Sequence, residues 1–311
     1  MSFYSNNYRI FSMFILILYF ATLNYAKREA DVGERKANEK EYPYAIYIID
    51  LKSNIDGTGT LLAPDKIATA AHVVGRRFKV ENAELIGGAV YADKPGKLGY
   101  QKRNVLKFVV HPEYEKVKEP LHDVCYILAK APFDINEFVK PAPLAAYDPD
   151  SFSKSWDKIV ASGIKCYGVA FVKKQGKELK MVRMYSLSQE NCEKYAGKEQ
   201  YDVGIRCLIA YMPENVLCSG DSGGPLVCDG KVYGIFAASS GGYPATPGPD
   251  SVVCDGVGVW FMYNTYGKYL KFFDAKPWSS GNLPTPTLLA IAFSALAPLH
   301  GNFFERGFVD H

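Results

Sequence analysis

The stretch Gly220-Asp221-Ser222-Gly223-Gly224-Pro225 follows Cys218-Ser219 and runs into the apolar Leu226-Val227. Glycine has no Cβ, so glycines on both sides of one serine leave backbone N–H groups unobstructed in a sharp turn. A nucleophilic serine needs such surroundings. Its attack on a carbonyl creates an oxyanion, which donors fixed by the backbone stabilise far better than mobile water does. Taken alone, the stretch fits a plain β-turn equally well. The two readings separate on whether the rest of the chain supplies a base and a carboxylate on a β scaffold.

Both residue types stand at strand ends. Thr69-Ala70-Ala71-His72 closes an apolar run, and its small residues let a histidine lie close to neighbouring backbone. His122-Asp123-Val124-Cys125-Tyr126-Ile127-Leu128 places an aspartate at the opening of an apolar strand, drawn toward the buried side. A lone histidine there is more often structural, and a lone aspartate more often a turn residue. The runs Tyr44 to Ile49, Gly59 to Leu62, Ile67 to Ala70, Val105 to Val110, Val124 to Leu128, Lys158 to Ser162, Met181 to Ser186, Pro225 to Val227, Val232 to Ala237 and Gly258 to Met262 predict an all-β chain. No helical periodicity is expected in the middle of it. Val139-Lys140-Pro141-Ala142-Pro143 predicts an extended crossover, since two prolines one residue apart suit neither helix nor central strand. Two barrels joined near residue 145 follow, with Asn264 to Phe273 as a terminal helix carrying Tyr266, Tyr269 and Leu270 on one face.

The chain has 311 residues, 48% hydrophobic and 22% charged, which excludes disorder as its main state. Its 36 Lys and Arg against 33 Asp and Glu leave a net charge of +3, too small a field for nucleic-acid binding driven by bulk charge. Arg9, the apolar run Ile10 to Ala21 and then Lys27-Arg28-Glu29 predict a secretory signal peptide over residues 1–26, cut after Ala26, with an uncleaved signal anchor as the alternative. Seven cysteines downstream of such a signal predict disulfides, and the absence of any CxxC pair speaks against zinc. The chain has no Asn-x-Ser/Thr sequon, so N-glycosylation is not expected. Residues 275–311 form a Pro-containing, partly apolar extension. Its apolar stretch of about twelve residues is too short to span a bilayer as a helix, and the polar terminus Glu305 to His311 argues against a lipid-anchor signal at Ser279-Ser280-Gly281.

In the order His72, Asp123, Ser222, the chain resembles the trypsin and chymotrypsin serine protease family. The resemblance also takes in Tyr42-Pro43, His111-Pro112-Glu113-Tyr114, Cys207 and Cys218 before the serine, and Gly256-Val257-Gly258-Val259-Trp260. It implies an all-β, chymotrypsin-like peptidase domain over residues 27–274: two six-stranded Greek-key-type β-barrels, at about 44–140 and about 150–263, and a short C-terminal helix at about 264–273. It implies Ser222 as nucleophile, His72 as general base and then acid, Asp123 as orienting carboxylate, and the N–H groups of Gly220 and Ser222 as oxyanion hole. No metal or organic cofactor is required. The implied partners are protein or peptide substrates and protein protease inhibitors, at an extracellular location, with neither nucleic acid nor membrane. By the same resemblance Val216 lies at the base of the specificity pocket, with Ser239 and Gly258 as its walls. Without a carboxylate at that base a Lys or Arg side chain would bury its charge unpaired, so an apolar or aromatic preference is expected. The implied disulfides are Cys192–Cys207, Cys218–Cys254 and Cys166–Cys228, with Cys125 left over as a buried small hydrophobe, the alternative being an intermolecular bond.

Three departures from the family stand out. Activation normally pairs an apolar N-terminus with the aspartate before the serine, here Asp221, yet Asp31-Val32-Gly33-Glu34 occupies the matching place. A second carboxylate beside Asp221 opposes insertion, so the mature chain is expected to begin upstream of Asp31, near Lys27 or Glu29, with zymogen-like activity. Val73 replaces the cysteine that usually follows the histidine, and Ser162-Gly163-Ile164-Lys165-Cys166-Tyr167-Gly168 stands where Gly-Trp-Gly is usual. The alternative to a secreted serine endopeptidase is therefore a protease homologue that binds a partner without cleaving it.

Overall fold

The structure is a computed structural model that describes residues 33–75, 78–114, 121–172, 177–211, 217, 220–240 and 260–279. The chain separates into two compact units, residues 1–277 and 278–311; of the second, only Trp278 and Ser279 are described. The first unit holds two closed six-stranded antiparallel barrels.

The first barrel uses consecutive strands: β2 (Ala45–Asp50), β3 (Ile55–Ala63), β4 (Lys66–Thr69), β5 (Ala83–Gly87), β6 (Gln101–Val110) and β7 (Cys125–Ala129), closed in the order β2-β3-β4-β7-β6-β5. Strand β7 shows the period-two logic: Cys125, Ile127 and Ala129 point inward while Tyr126 and Leu128 are half-buried outside. Ile46, Ile48, Leu61, Ile67, Leu85 and Ile127 are fully buried in this barrel, each stabilising it by roughly 1.5–3 kcal/mol relative to exposure.

The second barrel contains β8 (Cys166–Val172), β9 (Glu178–Ser186), β10 (Ile205–Ala210), β11 (Pro225–Cys228), β12 (Lys231–Ser240) and β13 (Trp260–Thr265). They pair in the order β8-β9-β10-β13-β12-β11, and β11 returns to β8. A short leading strand, β1 (Glu34–Lys36), joins this barrel and not its sequence neighbour, pairing antiparallel with β9 through Arg35 opposite Met181. The Lys180 ammonium donates to the Glu34 carboxylate at 2.6 Å across that pair. The crossover Val139 to Pro143 is not part of any strand; Ala142 N–H donates to Leu61 O at 2.8 Å, and Val232 N–H donates to Pro143 O at 2.8 Å.

Helices depart from the sequence expectation. Lys158 to Ser162, expected as a strand, forms the last turns of α1 (Pro149–Ser162), and α2 (Gln189–Ala196) and α3 (Lys198–Asp202) also interrupt the β pattern. In α1 the Asp148 carboxylate accepts from Ser151 N–H at 2.8 Å, Pro149 opens the first turn, and Gly163 ends it in the left-handed region at φ 58°. Phe152, Trp156 and Ile159 recur at helical spacing and are buried, and Trp156 and Phe152 pack against Tyr233. A run such as Ile159-Val160-Ala161 fits either period when read alone, which is why it passes for a strand. The terminal helix α4 is shorter than expected, Tyr266–Phe273, because Asn264 and Thr265 finish β13. Tyr266, Tyr269 and Leu270 form its buried face together with Phe273.

Candidate active site

His72 sits one turn beyond β4. Buried Ala70 is extended and buried Ala71 starts a 3-10 turn, Ala71–Val74, so the chain reverses tightly enough to aim both the His72 N–H and its ring the same way. The backbone N–H of His72 donates to Asp123 Oδ1 at 2.8 Å, and ring Nδ1 lies 2.6 Å from Asp123 Oδ2. An ionised carboxylate can only accept, so Nδ1 carries the proton and the neutral ring presents a lone pair at Nε2. The His72 side chain keeps 38% exposure while that of Asp123 keeps 1%, which leaves the opposite ring edge accessible. Burial alone would lower the His72 pKa, but the Asp123 hydrogen bond and charge outweigh it and hold it above its ordinary value near 6.5.

Asp123 is held by a tight turn. His122 adopts φ +55°, and Val124 N–H closes onto His122 O at 2.7 Å. The Asp123 carbonyl accepts from Asn264 Nδ2 at 3.1 Å.

Ser222 lies half-buried in the turn before β11. Gly220 at φ +101° and Gly223 at φ +85° make that turn, both in the region that side chains disfavour. It is clamped from both barrels: Thr58 N–H donates to Ser222 O at 2.8 Å, and Gly223 N–H donates to Phe236 O at 2.8 Å. Thr69 Oγ1 donates to Thr58 O at 2.9 Å, three residues before His72. A Cβ on Gly223 would lie 2.1 Å from both Thr58 O and Thr69 Oγ1, so only glycine permits the approach. Thr58 on β3 and Thr69 at the end of β4, the strand that leads to His72, therefore seat the serine turn. Thr58 carried no signal in the sequence and Thr69 stood out only as part of the string before His72, because their role in seating the serine turn is created by contact between barrels.

The other expected residues divide by position. Asp221 is fully buried beside the serine, and burial together with its charge pushes the Tyr263 phenol well up. Ser239 is exposed on β12 opposite Phe261. Val216, Gly258, Cys218, Cys254 and Asp31 lie outside the described residues. Cys166–Cys228 joins β8 to β11, and Cys192–Cys207 joins α2 to β10. Cys125 is a buried free thiol whose pKa burial raises. A cavity of about 320 Å³ lies away from the site, between the segment Lys36 to Ala45 and the loop Gly88 to Leu98, and contains none of these residues. Among the described residues no helix is long and apolar enough to cross a membrane.

A family model described as Trypsin matches residues 31–253. Kallikrein 1-related peptidase b1 of Mus musculus is 30% identical over 233 residues, covering 70% of this chain and 83% of its own length. A trypsin of Saccharopolyspora erythraea is 26% identical, covering 70% of this chain and 90% of its own. The solved structure of neuropsin, a serine protease expressed in the limbic system of mouse brain, superposes with a TM-score of 0.59 at 23% identity, over 78% of this chain and 97% of that one.

Proposed function

The chain belongs to the trypsin family of serine proteases, and from that premise we propose that it is a secreted endopeptidase working through Ser222, His72 and Asp123. The observation that carries the reading is the double contact of His72 with Asp123, at 2.8 Å through the backbone and 2.6 Å through the ring, next to the strands that seat the Ser222 turn. In this reading His72 Nε2 removes the Ser222 hydroxyl proton as Oγ attacks the peptide carbonyl carbon. The N–H groups of Gly220 and Ser222 face the resulting oxyanion. Collapse expels the amine, which takes the proton from His72, and leaves an acyl-enzyme. Water then attacks the ester, again giving its proton to His72, and as the ester C–O bond breaks His72 returns that proton to Ser222 Oγ, restoring the hydroxyl and releasing the carboxylic acid product. Asp123 stays ionised throughout and stabilises the imidazolium that forms twice in each cycle.

Two further parts belong to the same proposal. Disulfides persist in oxidising compartments, so Cys166–Cys228 and Cys192–Cys207 support secretion. Val216, which the family resemblance assigns to the pocket base, supports cleavage after apolar or aromatic residues, since it offers a basic side chain no counter-charge.

The test is labelling with a fluorophosphonate probe, which should modify the mature protein at Ser222 and fail on Ser222→Ala. Absence of labelling on folded, processed protein would overturn catalysis and favour a homologue that binds without cleaving. For the pocket, faster hydrolysis of Lys or Arg than of Phe or Leu peptide esters would sink the apolar preference.

A further inference from the structure

We propose that Asn264, from the second barrel, is a positioning residue for Asp123: it fixes the main chain of the aspartate and thereby the aim of its carboxylate at His72. The inference rests on the triad reading above and extends it to a residue that touches neither substrate nor serine.

Both carboxylate oxygens of Asp123 are occupied by His72, a neighbour within the first barrel. Those bonds can orient the ring only if the backbone carrying the carboxylate is itself held. It is held in an unfavourable shape: His122 is a non-glycine residue at φ +55°, a conformation that persists only where the surroundings impose it. The surroundings come from the β13–α4 corner. Asn264 is fully buried, and its Nδ2 reaches the Asp123 carbonyl at 3.1 Å. A carbonyl only accepts, so the amide nitrogen must face it. Tyr269, 3% exposed, completes the corner. Its hydroxyl donates to Val203 O at 2.9 Å and lies 3.5 Å from Asn264 Oδ1 and 3.4 Å from His122 Nδ1. The His122 ring stacks on His111 at 5.0 Å with 9° between planes. The turn bearing Asp123 is thus gripped on the residue before the aspartate and on the aspartate's own carbonyl.

A fully buried asparagine in a strand is costly unless its polar atoms are satisfied, and an apolar side chain would serve a core strand better. Satisfying one carbonyl would explain the residue as structure alone. The positioning role differs because it predicts a change at His72, which Asn264 does not touch. If the Asp123 turn relaxes, the 2.6 Å contact loosens and the imidazolium loses part of its partner.

The experiment follows the His72 imidazole directly by NMR titration of the full secreted chain carrying labelled histidine, with the His72 signal identified by its loss in His72→Gln. Asp123 faces His72, while His111, His122, Cys125 and Tyr269 surround the aspartate turn, so the His111 and His122 signals report whether any shift is general. Asn264→Leu keeps the branched shape and removes the donor. It should lower the proton affinity of His72 by about threefold to tenfold and slow phosphonylation of Ser222 about tenfold, with KM for peptide esters unchanged. An unchanged His72 titration in folded Asn264→Leu, with only the melting temperature reduced, would overturn the proposal. Should that variant not fold, Tyr269→Phe keeps the ring packing and frees the Asn264 amide. A smaller shift of His72 in the same direction supports the proposal, and none overturns it. If the His72 titration moves but wild-type protein is never labelled at Ser222, positioning stands and the endopeptidase reading fails.

Discussion

The backbone N–H of Thr58 donates to the carbonyl of Ser222 at 2.8 Å, so the serine turn of one barrel is hydrogen-bonded to the second strand of the other, β3. The turn can come that close only because Gly223 has no side chain and adopts φ +85°. Gly223→Ala should therefore displace the turn. We expect a loss of phosphonylation rate of at least about a hundredfold together with a stability loss of roughly 2–4 kcal/mol, read from urea denaturation. Retention of both would show that the turn tolerates a Cβ.

The raised pKa of His72 gives a pH profile with a definite sign. Proton transfer from Ser222 needs neutral His72, so kcat/KM should fall as pH drops through a value above 6.5. Asp123→Asn removes the cause of the rise; its acid limb should move to lower pH while the plateau drops by roughly a thousandfold or more. The stability linkage runs the other way. A group whose pKa is raised by folding contributes stability fully present below its unfolded value near 6.5, and lost as pH rises through the folded value. Activity and this contribution therefore trade against each other across the same window.

The two disulfides among the described residues close loops of different size, with separations of 62 residues for Cys166–Cys228 and 15 for Cys192–Cys207. Chain-entropy arguments give about 4 and about 3 kcal/mol respectively. Replacing each pair by alanines should lower the melting temperature in that order. Equal effects would mean that local packing, not loop closure, decides.

Asp31 offers a further test, because the buried Asp221 carboxylate is the expected partner of a new N-terminus. Replacing Asp31-Val32-Gly33 by Ile-Val-Gly, with an Arg before it, should make activity depend on tryptic cleavage and raise it. Glu34 is left in place because it pairs with Lys180 at 2.6 Å. Full activity in a native chain that begins at Asp31, with no gain from the replacement, would reject the zymogen-like reading.

Local strings made the His72, Asp123 and Ser222 neighbourhoods readable: each needs small or glycine residues beside a reactive one, and each lies within a few positions. Barrel architecture was readable from alternating runs such as Cys125–Ala129. Strands β1, β5, β8 and β10 were not, since Glu34–Lys36 is wholly charged and Ala83–Gly87, Cys166–Val172 and Ile205–Ala210 mix Glu, Tyr, Gly and Arg into their apolar runs. Helix α1 had a legible start at Asp148-Pro149 and a legible stop at Gly163, but its short apolar run fits either period. Asn264 could not be read at all. Its partner lies 141 residues earlier, and only the closing of two barrels against each other brings them together.

Strand β1 has a bearing on how the molecule forms. The first barrel uses six strands in an unbroken stretch ending at Ala129, so it can close while later chain is still being synthesised. Glu34 must instead wait for Val182, about 150 residues downstream, a separation that slows pairing and raises contact order. The earliest strand among the described residues to leave the ribosome is thus among the last to be satisfied. Until β9 arrives it is an open edge, and a chain stalled after the first barrel would carry that edge exposed to other chains.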